Sequence, residues 1–349
     1  MKKQILAGVL SATMVVGMGG VSVFAADGAD DKTYNIGICQ LVQHEALDAA
    51  TQGFKDAITE ELGDKVTFDE QNAQGDSNTC STIITDFVSD NVDLILANAT
   101  PALQAAAAGT ADIPILGTSV TEYGVALDLD DFDGTVGNNI SGTSDLAPLE
   151  DQAAMLNELF PDAKNVGLVY CSAEANSQYQ VDTVKAALEK LGYTCEYYAF
   201  SDSNDLSSVA TTAATESDVI YLPTDNTVAS NTEIINNICL PEKVPVIAGE
   251  EGICEGCGVA TLSISYYDLG VATGKMALKV LVDGEDISKM PIEYAPQFTK
   301  EYNPESCKEL GIEVPDDYVA IGADAEEETS EDDADAADDT AEETTEEAE

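Results

Sequence analysis

Between residues 34 and 116, short and almost continuously apolar runs alternate with longer segments in which apolar residues recur every three to four positions. The runs predict buried strands at 34–39, 66–68, 94–97 and 113–116, and the periodic segments predict helices at 44–62, 77–89 and 101–108. Such strictly alternating strands and helices favour a parallel sheet that is covered on both faces.

The same alternation restarts after a polar bridge at 137–142. Helices are expected at 146–160 and 179–191, and strands at 165–170, 194–199, 219–222 and 244–248. A helix at 267–282 and a strand at 292–298 complete the pattern. We expect an α/β protein with two three-layer α/β/α lobes, built on parallel sheets and joined by a multi-strand hinge. The lobes are predicted at 33–140 plus about 263–290, and at 143–262 plus about 291–322.

The two ends of the chain depart from this pattern. Lys2 and Lys3 precede a short apolar run at 5–16, and Val23 and Ala25 supply the small residues of a cleavage site, so 1–26 is interpreted as a signal peptide. The alternative, a membrane anchor, would need an apolar run of about 20 residues. Residues 323–349 are predicted to be a disordered acidic tail without large apolar side chains. The mature protein is therefore expected outside the cytoplasm.

Charge and composition narrow the possible partners. The formal net charge is −52, from 14 basic and 66 acidic residues, which disfavours binding to nucleic acids and anionic membrane surfaces. Cys254 and Cys257 form the one C-x-x-C motif, but the chain has a single histidine and no second ligand pair, so we expect neither a metal site nor a cofactor. The eight cysteines are compatible with free thiols or with a few disulfide bonds.

Polar residues cluster after the predicted strands of both lobes, where ligands of open α/β sheets bind. Hydroxyls and helix amino termini suit a carboxylate, and acidic side chains suit an ammonium group, so the set matches a free amino acid whose ammonium group we predict to contact Asp225. The alternative is that the polar residues cap helices, as Thr100 would cap the helix that Pro101 opens, and that the tyrosines pack in the core. The candidate ligand contacts are His44, Thr100, Ser119, Thr121, Tyr170, Glu174, Asn176, Ser177, Asp225, Asn226, Glu250 and Tyr267.

An ordered set of motifs across residues 34–321 resembles the ABC-importer substrate-binding family typified by tryptophan-binding TrpX-like proteins. The motifs are Gln43-His44-x-x-Leu47-Asp48, Gly53-Phe54, Thr100-Pro101, Asn139-Ile140-Ser141-Gly142, Tyr170-x-x-x-Glu174-x-Asn176-Ser177, Pro223-Thr224-Asp225-Asn226 and Tyr266-Tyr267-Asp268-Leu269-Gly270. The resemblance implies a type I periplasmic-binding-protein fold that closes like a Venus flytrap on a small solute, together with ABC permease and ATPase partners. Some members bind tryptophan or phenylalanine.

Two positions depart from the resembled pattern. No cysteine lies near the predicted cleavage site, where lipid-anchored members have one, and Cys171 stands where a small polar residue is usual. We expect a monomeric binding protein and not an enzyme, because neither a G-x-S-x-G elbow nor a G-x-x-x-x-G-K-[ST] loop is present. The alternatives are a binding subunit that feeds a sensor or chemoreceptor, and a binder of a sugar or nucleoside.

Overall fold

The computed structural model describes residues 32–295 and 297–322. The predicted signal peptide and acidic tail lie outside these residues. None of the helices in the described ranges is long and apolar enough to cross a membrane.

The first lobe is built on a six-stranded parallel sheet with the order β11-β5-β4-β3-β1-β2. Its elements before the first crossing are β1 (Tyr34–Gln40), α1 (Glu45–Leu62), β2 (Val66–Asn72), α2 (Ser77–Asp90), β3 (Leu94–Asn98), α3 (Thr100–Gly109), β4 (Ile115–Val120), α4 (Tyr123–Ala126) and β5 (Ile140–Ser144). A short 3₁₀ turn at Gly63–Lys65 links α1 to β2.

The second lobe is built on a seven-stranded sheet with the order β13-β12-β10-β9-β8-β6-β7, in which only β12 runs antiparallel to its neighbour β10 among the described pairs. Its elements before the second crossing are α5 (Leu149–Leu159), β6 (Asn165–Cys171), α6 (Ala175–Leu191), β7 (Thr194–Phe200), α7 (Ser203–Glu216), β8 (Val219–Leu222), α8 (Asn226–Ala229), α9 (Thr232–Glu242), β9 (Val246–Ala248), α10 (Glu251–Cys257) and β10 (Ala260–Ser263).

The remaining segments return to each lobe in turn. They are α11 (Tyr266–Leu281), a 3₁₀ turn (Ile287–Lys289), β11 (Glu293–Tyr294), β12 (Thr299–Tyr302), α12 (Pro304–Leu310) and β13 (Val319–Ala320). The chain passes between the lobes at 145–148, at 264–265 and between β11 and β12, which is a multi-strand connection as expected.

Several boundaries differ from those expected, and two of the differences change the sheets. Strand β5 continues the first sheet to Ser144 instead of ending it at 140, and the predicted strand at 292–298 is two strands in different sheets. Strand β11 pairs with β5 in the first sheet, whereas β12 pairs with β10 in the second. Because β5 is mostly Ser, Gly and Thr, its burial comes from neighbouring strands and not from an apolar pattern of its own.

Both faces of the first sheet are covered, as the alternation predicted. Ile36 and Ile38 pack with α1 and α11, whereas Cys39 and Ile95, pointing the other way, pack with α2 and α3. Helices α1 and α11 approach closely because glycines face each other across their contact. A Cβ atom on Gly270 would collide with the carbonyl oxygen of Ala50. Helix α11 therefore belongs to the first lobe, although it follows the last parallel strand of the second.

Candidate ligand-binding site

The carboxyl ends of the parallel strands in both lobes point toward the space between them. A cavity of about 220 Å³ lies there, next to the amino-terminal end of α3. Its first-lobe walls include Leu41, Val42, Ser77 and Pro101, and its second-lobe walls include Cys171, Ala173, Glu174, Asn226 and Thr227. Most of the lining side chains are polar, so the cavity suits a small polar solute that can form several hydrogen bonds.

The lobes also meet through a hydrogen bond between His44 and Asn226. The His44 Nε2 atom lies 3.2 Å from Asn226 Oδ1, and the Asn226 amide nitrogen donates to Glu174 Oε2 at 2.7 Å. Because that second bond orients the amide, its oxygen faces the imidazole, and His44 carries its proton on Nε2. Burial lowers the pKa of His44, against smaller opposing effects of Asn226, Glu174 and Asp48. His44 is thus a neutral donor between the lobes.

Asp225 is held entirely by its own lobe. Its two carboxyl oxygens accept from the backbone N–H groups of Val228 at 2.9 Å and Cys171 at 2.7 Å, and Ser177 also bonds to it. The side chain is 1% exposed, and both of its oxygens already have partners within this lobe. Burial, and then the nearby Glu174 carboxylate, raise the pKa of Asp225 to about 8. Asp225 caps α8. Helix capping was the alternative to ligand contact in the sequence analysis.

Glu174 performs a similar structural task. One oxygen accepts from the backbone N–H and the hydroxyl of Thr227, at 2.9 and 2.8 Å, and the other accepts from the backbone and side-chain nitrogens of Asn226. Asn176 donates to the carbonyl oxygen of Thr224, but its own Oδ1 is buried and has no partner in the described part of the chain. This oxygen is free to accept a hydrogen bond from a ligand.

A second cavity, of about 300 Å³, lies between α1 and α10 and is lined by acidic side chains of both lobes. Glu250 caps α10 by accepting from Gly252 at 2.8 Å and from Ile253, and its burial raises its pKa to about 7. Across the gap, the carboxyl groups of Glu45 and Glu255 are hydrogen-bonded to each other. Loss of hydration, followed by Glu255 and Glu251, raises the pKa of Glu45 to about 7. The two lobes therefore meet here through acids that favour sharing a proton.

The first lobe presents strained backbone where β3 and β4 end. Ala99 has a φ of 89° and Ser119 a φ of 53°, values that non-glycine residues rarely adopt. Backbone strain of this kind tends to occur at functional sites. We expected Thr100 to cap the helix that Pro101 opens, but Thr100 is already the first residue of α3 and no side chain caps it. The Ser119 hydroxyl is buried without a partner in the described residues.

Asp145 was not among the predicted contacts. It follows β5 directly, at the first crossing between the lobes, and is 5% exposed. Its Oδ2 accepts from the Tyr266 hydroxyl at 3.1 Å, and Thr121 also bonds to the carboxyl group, but Oδ1 has no partner in the described part of the chain. Burial raises the pKa of Asp145 to about 6. The sequence signal was available, since an acid stands directly after the Ser-Gly-Thr-Ser run of β5.

The two tyrosines among the predicted contacts lie away from the cavities. Tyr170 packs edge-on against Tyr197, with ring centroids 5.9 Å apart, in the core beneath α6. Tyr267 is 43% exposed and donates to Asp56 on the outer surface of α1. Tyr123 is buried and donates to the Thr143 carbonyl oxygen. Tyr266, which precedes Tyr267, is the buried tyrosine that bonds to Asp145 where the chain crosses between the lobes.

Of the predicted contacts, the structure brings His44, Glu174, Asn226 and Glu250 to the walls of the two cavities, and Thr100, Ser119 and Thr121 to adjacent strand ends. All eight cysteines are buried and unpaired. No cluster of three or more His, Cys, Asp or Glu side chains suited to a metal ion occurs in the described residues.

Comparison with known proteins places the chain in a functional context. Residues 35–326 match the sequence profile of the ABC transporter substrate binding protein family. The chain is 35% identical over 320 residues to the tyrosine-binding protein of Clostridioides difficile, covering 88% of this chain and 91% of that protein.

Two solved structures are also similar. A Streptococcus pneumoniae ABC domain in complex with L-Trp is 33% identical, with a TM-score of 0.78 over 82% of this chain and 97% of that one. A ligand-free, open substrate-binding protein with adhesive properties from Clostridium difficile is 38% identical, but has a TM-score of only 0.64 over 83% of this chain and 99% of that one. Since the more identical protein superposes less well, the lobe arrangement is more like that of the L-Trp complex.

Proposed function

The chain belongs to the family of ABC transporter substrate-binding proteins, and we propose that it captures a free amino acid, with aromatic amino acids favoured, between its two lobes. In this proposal it works outside the cytoplasm as a monomer, after removal of its signal peptide, and delivers the amino acid to an ABC permease and its ATPase. It performs no chemical reaction on the ligand. The names of the tyrosine-binding relative and of the L-Trp complex support this choice of ligand.

The observation that carries the proposal is the set of buried polar atoms without partners at the strand ends. Ser119 Oγ, Asp145 Oδ1 and Asn176 Oδ1 are donors or acceptors that the described residues leave unsatisfied. A buried polar atom that lacks a hydrogen bond costs about 1–3 kcal/mol, so such atoms are rare unless something else bonds to them. A zwitterion offers both the donors and the acceptors that these atoms require.

The amino terminus of α3 supports the carboxylate part of this match. No side chain caps this ten-residue helix, and Pro101 in its first turn lines the inter-lobe cavity. Helix amino termini carry free N–H groups and a partial positive charge, both of which favour an anion. A sugar or nucleoside would leave this feature unused, which favours an amino acid over those alternatives.

The absence of tryptophan from the chain allows a direct test. Excitation selective for indole then reports the ligand alone. Protein without residues 1–26 is unfolded, dialysed and refolded to remove bound solute, and is then added to L-tryptophan. We expect an increase in emission anisotropy that saturates at one ligand per chain, because burial restricts the indole. A thermal-shift screen of amino acids, sugars and nucleosides runs in parallel, since a ligand of the folded state raises the melting temperature.

D-Tryptophan serves as the matched control, because it has the same indole but presents its charged groups in the wrong arrangement. Stabilisation by a sugar or nucleoside and by none of the amino acids would overturn the proposal. Delivery to a permease is tested separately by uptake of the labelled amino acid in cells that lack the protein; unchanged uptake together with a lost sensory response would favour a sensor.

A further inference from the structure

We propose that Asp145 binds the ammonium group of the ligand and so makes the first crossing between the lobes the amine-recognition point of the site. This inference rests on the proposed function, because it requires an amino acid as ligand. It replaces the sequence-based expectation that Asp225 makes this contact.

Asp145 has one carboxyl oxygen that is hydrogen-bonded and one that, among the described residues, is not. Oδ2 is engaged by the Tyr266 hydroxyl, and Thr121 contacts the same carboxyl group, so the side chain has a fixed position. Oδ1 is buried and lacks a partner in the described part of the chain. An ammonium group donates three hydrogen bonds, and its positive charge would neutralise the negative charge of the buried carboxylate.

No basic side chain offsets the charge of Asp145. None of the ion pairs in the described residues includes it, and the groups that act on its ionisation are the Thr121 and Tyr266 hydroxyls. The titratable groups that face it from packed elements are Tyr123 of α4 and Tyr266 of α11, and Glu250 lies near Tyr266. All of these are neutral or acidic. Burying an unpaired carboxylate is unfavourable, and a cationic ligand would relieve that cost.

The other buried acids near the cleft do not offer such an oxygen. Asp225 accepts from the backbone N–H groups of Val228 in α8 and Cys171 in β6. Glu174 and Glu250 each accept from two backbone N–H groups at the start of α8 and of α10. Their carboxyl groups are needed to hold those helices. Asp145 is not the cap of any helix, since Pro148 stands at the start of α5.

The position of Asp145 also relates amine binding to closure of the lobes. The Tyr266 hydroxyl that bonds to Asp145 also bonds to Thr224, which follows strand β8 of the second lobe. A ligand bound to Asp145 would therefore contact a chain of hydrogen bonds that runs from Asp145, after β5 of the first lobe, through Tyr266 to Thr224 of the second lobe. Ligand charge would be recognised where the two lobes join, which a contact within one lobe could not achieve.

The test compares ligands that differ only in the ammonium group, using wild-type protein and Asp145→Asn. The probes are L-tryptophan and indole-3-propionate, with L-tyrosine and 3-(4-hydroxyphenyl)propionate as a second pair. Losing one partner of a buried charged contact typically costs about 2–5 kcal/mol. Wild type should therefore prefer each amino acid over its desamino analogue by about thirtyfold or more. Asn keeps an oxygen for Tyr266 but removes the charge, so the preference should shrink to a few-fold.

Asp151→Asn is the matched control. It removes the same charge from an exposed side chain six residues away and should leave the preference unchanged. Equal wild-type affinity for an amino acid and its desamino analogue would overturn the inference, as would a preference that persists in Asp145→Asn. Wild type that binds none of the amino acids would instead contradict the proposed function, so the two failures are distinguishable.

A second measurement covers the case in which Asp145→Asn loses all binding. Since burial raises the pKa of Asp145 to about 6 and an ammonium group binds the ionised form, amino acid binding by wild type should weaken as pH falls from 7 to 5. Desamino analogues should not show this loss, because they make no contact with the charge. Binding of the amino acid that is independent of pH across this range would overturn the inference.

Discussion

The two lobes present polar side chains to the same cleft, but those side chains have different tasks. In the second lobe, Asp225, Glu174 and Glu250 are saturated by backbone N–H groups of short helices. At the strand ends of the first lobe, Ser119 Oγ and Asp145 Oδ1 are buried without partners in the described residues. The acids at the strand ends of the second lobe are therefore structural, whereas an acid and a hydroxyl at the strand ends of the first lobe are left unsatisfied by the described residues. The unpaired Oδ1 atom of Asn176 in the second lobe belongs to an amide in α6.

This difference teaches that the number of satisfied hydrogen bonds, and not the residue type, separates a ligand contact from a helix cap. A carboxylate that caps a helix stabilises the apo protein, and its removal should lower stability. A polar atom without a partner is held in place at some cost, and its removal should lower affinity. Four predictions, from the largest expected effect to the smallest, test this contrast.

The largest effect is expected for Asp225→Asn. The amide can accept one backbone N–H group, but its NH₂ group would face the second donor, Cys171 N–H or Val228 N–H. We expect a loss of about 3 kcal/mol in the free energy of unfolding, in line with an unsatisfied buried group added to a lost cap. Urea unfolding at pH 9, where Asp225 with its pKa of about 8 is ionised, would measure it. A stable variant that binds amino acid much more weakly would instead return Asp225 to the ligand site.

Ser119→Ala should show the opposite behaviour. It removes a buried hydroxyl that has no partner in the described chain, so stability should change by less than about 0.5 kcal/mol. Affinity for the amino acid should fall about fivefold, which corresponds to one neutral hydrogen bond of about 1 kcal/mol. Thermal melts and ligand titrations on the same sample separate the two effects. A destabilised variant with unchanged affinity would contradict the contrast between the lobes.

A smaller effect is expected where acids of both lobes meet. The pKa of Glu45 is raised to about 7 between the lobes, so its protonated form favours the closed arrangement below that pH, and this advantage is lost as pH rises through 7. Because Glu45 stays partly in solvent, affinity should fall only about twofold between pH 6.5 and 8.5. Glu45→Gln should abolish that change. Affinity that rises over the same range in wild type would refute this account.

The smallest effect is expected for Tyr267→Phe. The Tyr267 hydroxyl is on the outer surface and contacts Asp56, so its loss should change amino acid affinity by less than about twofold. Tyr266→Phe is the informative neighbour, because it removes the hydroxyl that bonds to Asp145 at 3.1 Å and should weaken binding. Ligand titrations of the two variants side by side should show a clear difference; a stronger loss in Tyr267→Phe would restore the sequence-based prediction.

Most of the fold was predictable from the sequence because it depends on local periodicity. Alternating apolar runs and helical segments indicated two parallel sheets covered on both faces, and α1, α11, β1, β6 and β7 begin and end close to their predicted bounds. Strand β5 and the split between β11 and β12 were not predictable in this way. These strands are short or poor in large apolar residues, and their pairing comes from neighbours in the sheet.

By itself, the sequence determined the two-lobe α/β class, the strongly acidic character and the strand ends at which polar residues gather. Only the tertiary structure decided which of those residues have hydrogen-bond partners within the protein and which do not. The partners are distant in sequence: Tyr266 is 121 residues from Asp145, and Asn226 is 182 residues from His44. Periodicity shows which face of an element is buried, but the satisfaction of a buried polar group depends on what folding brings next to it.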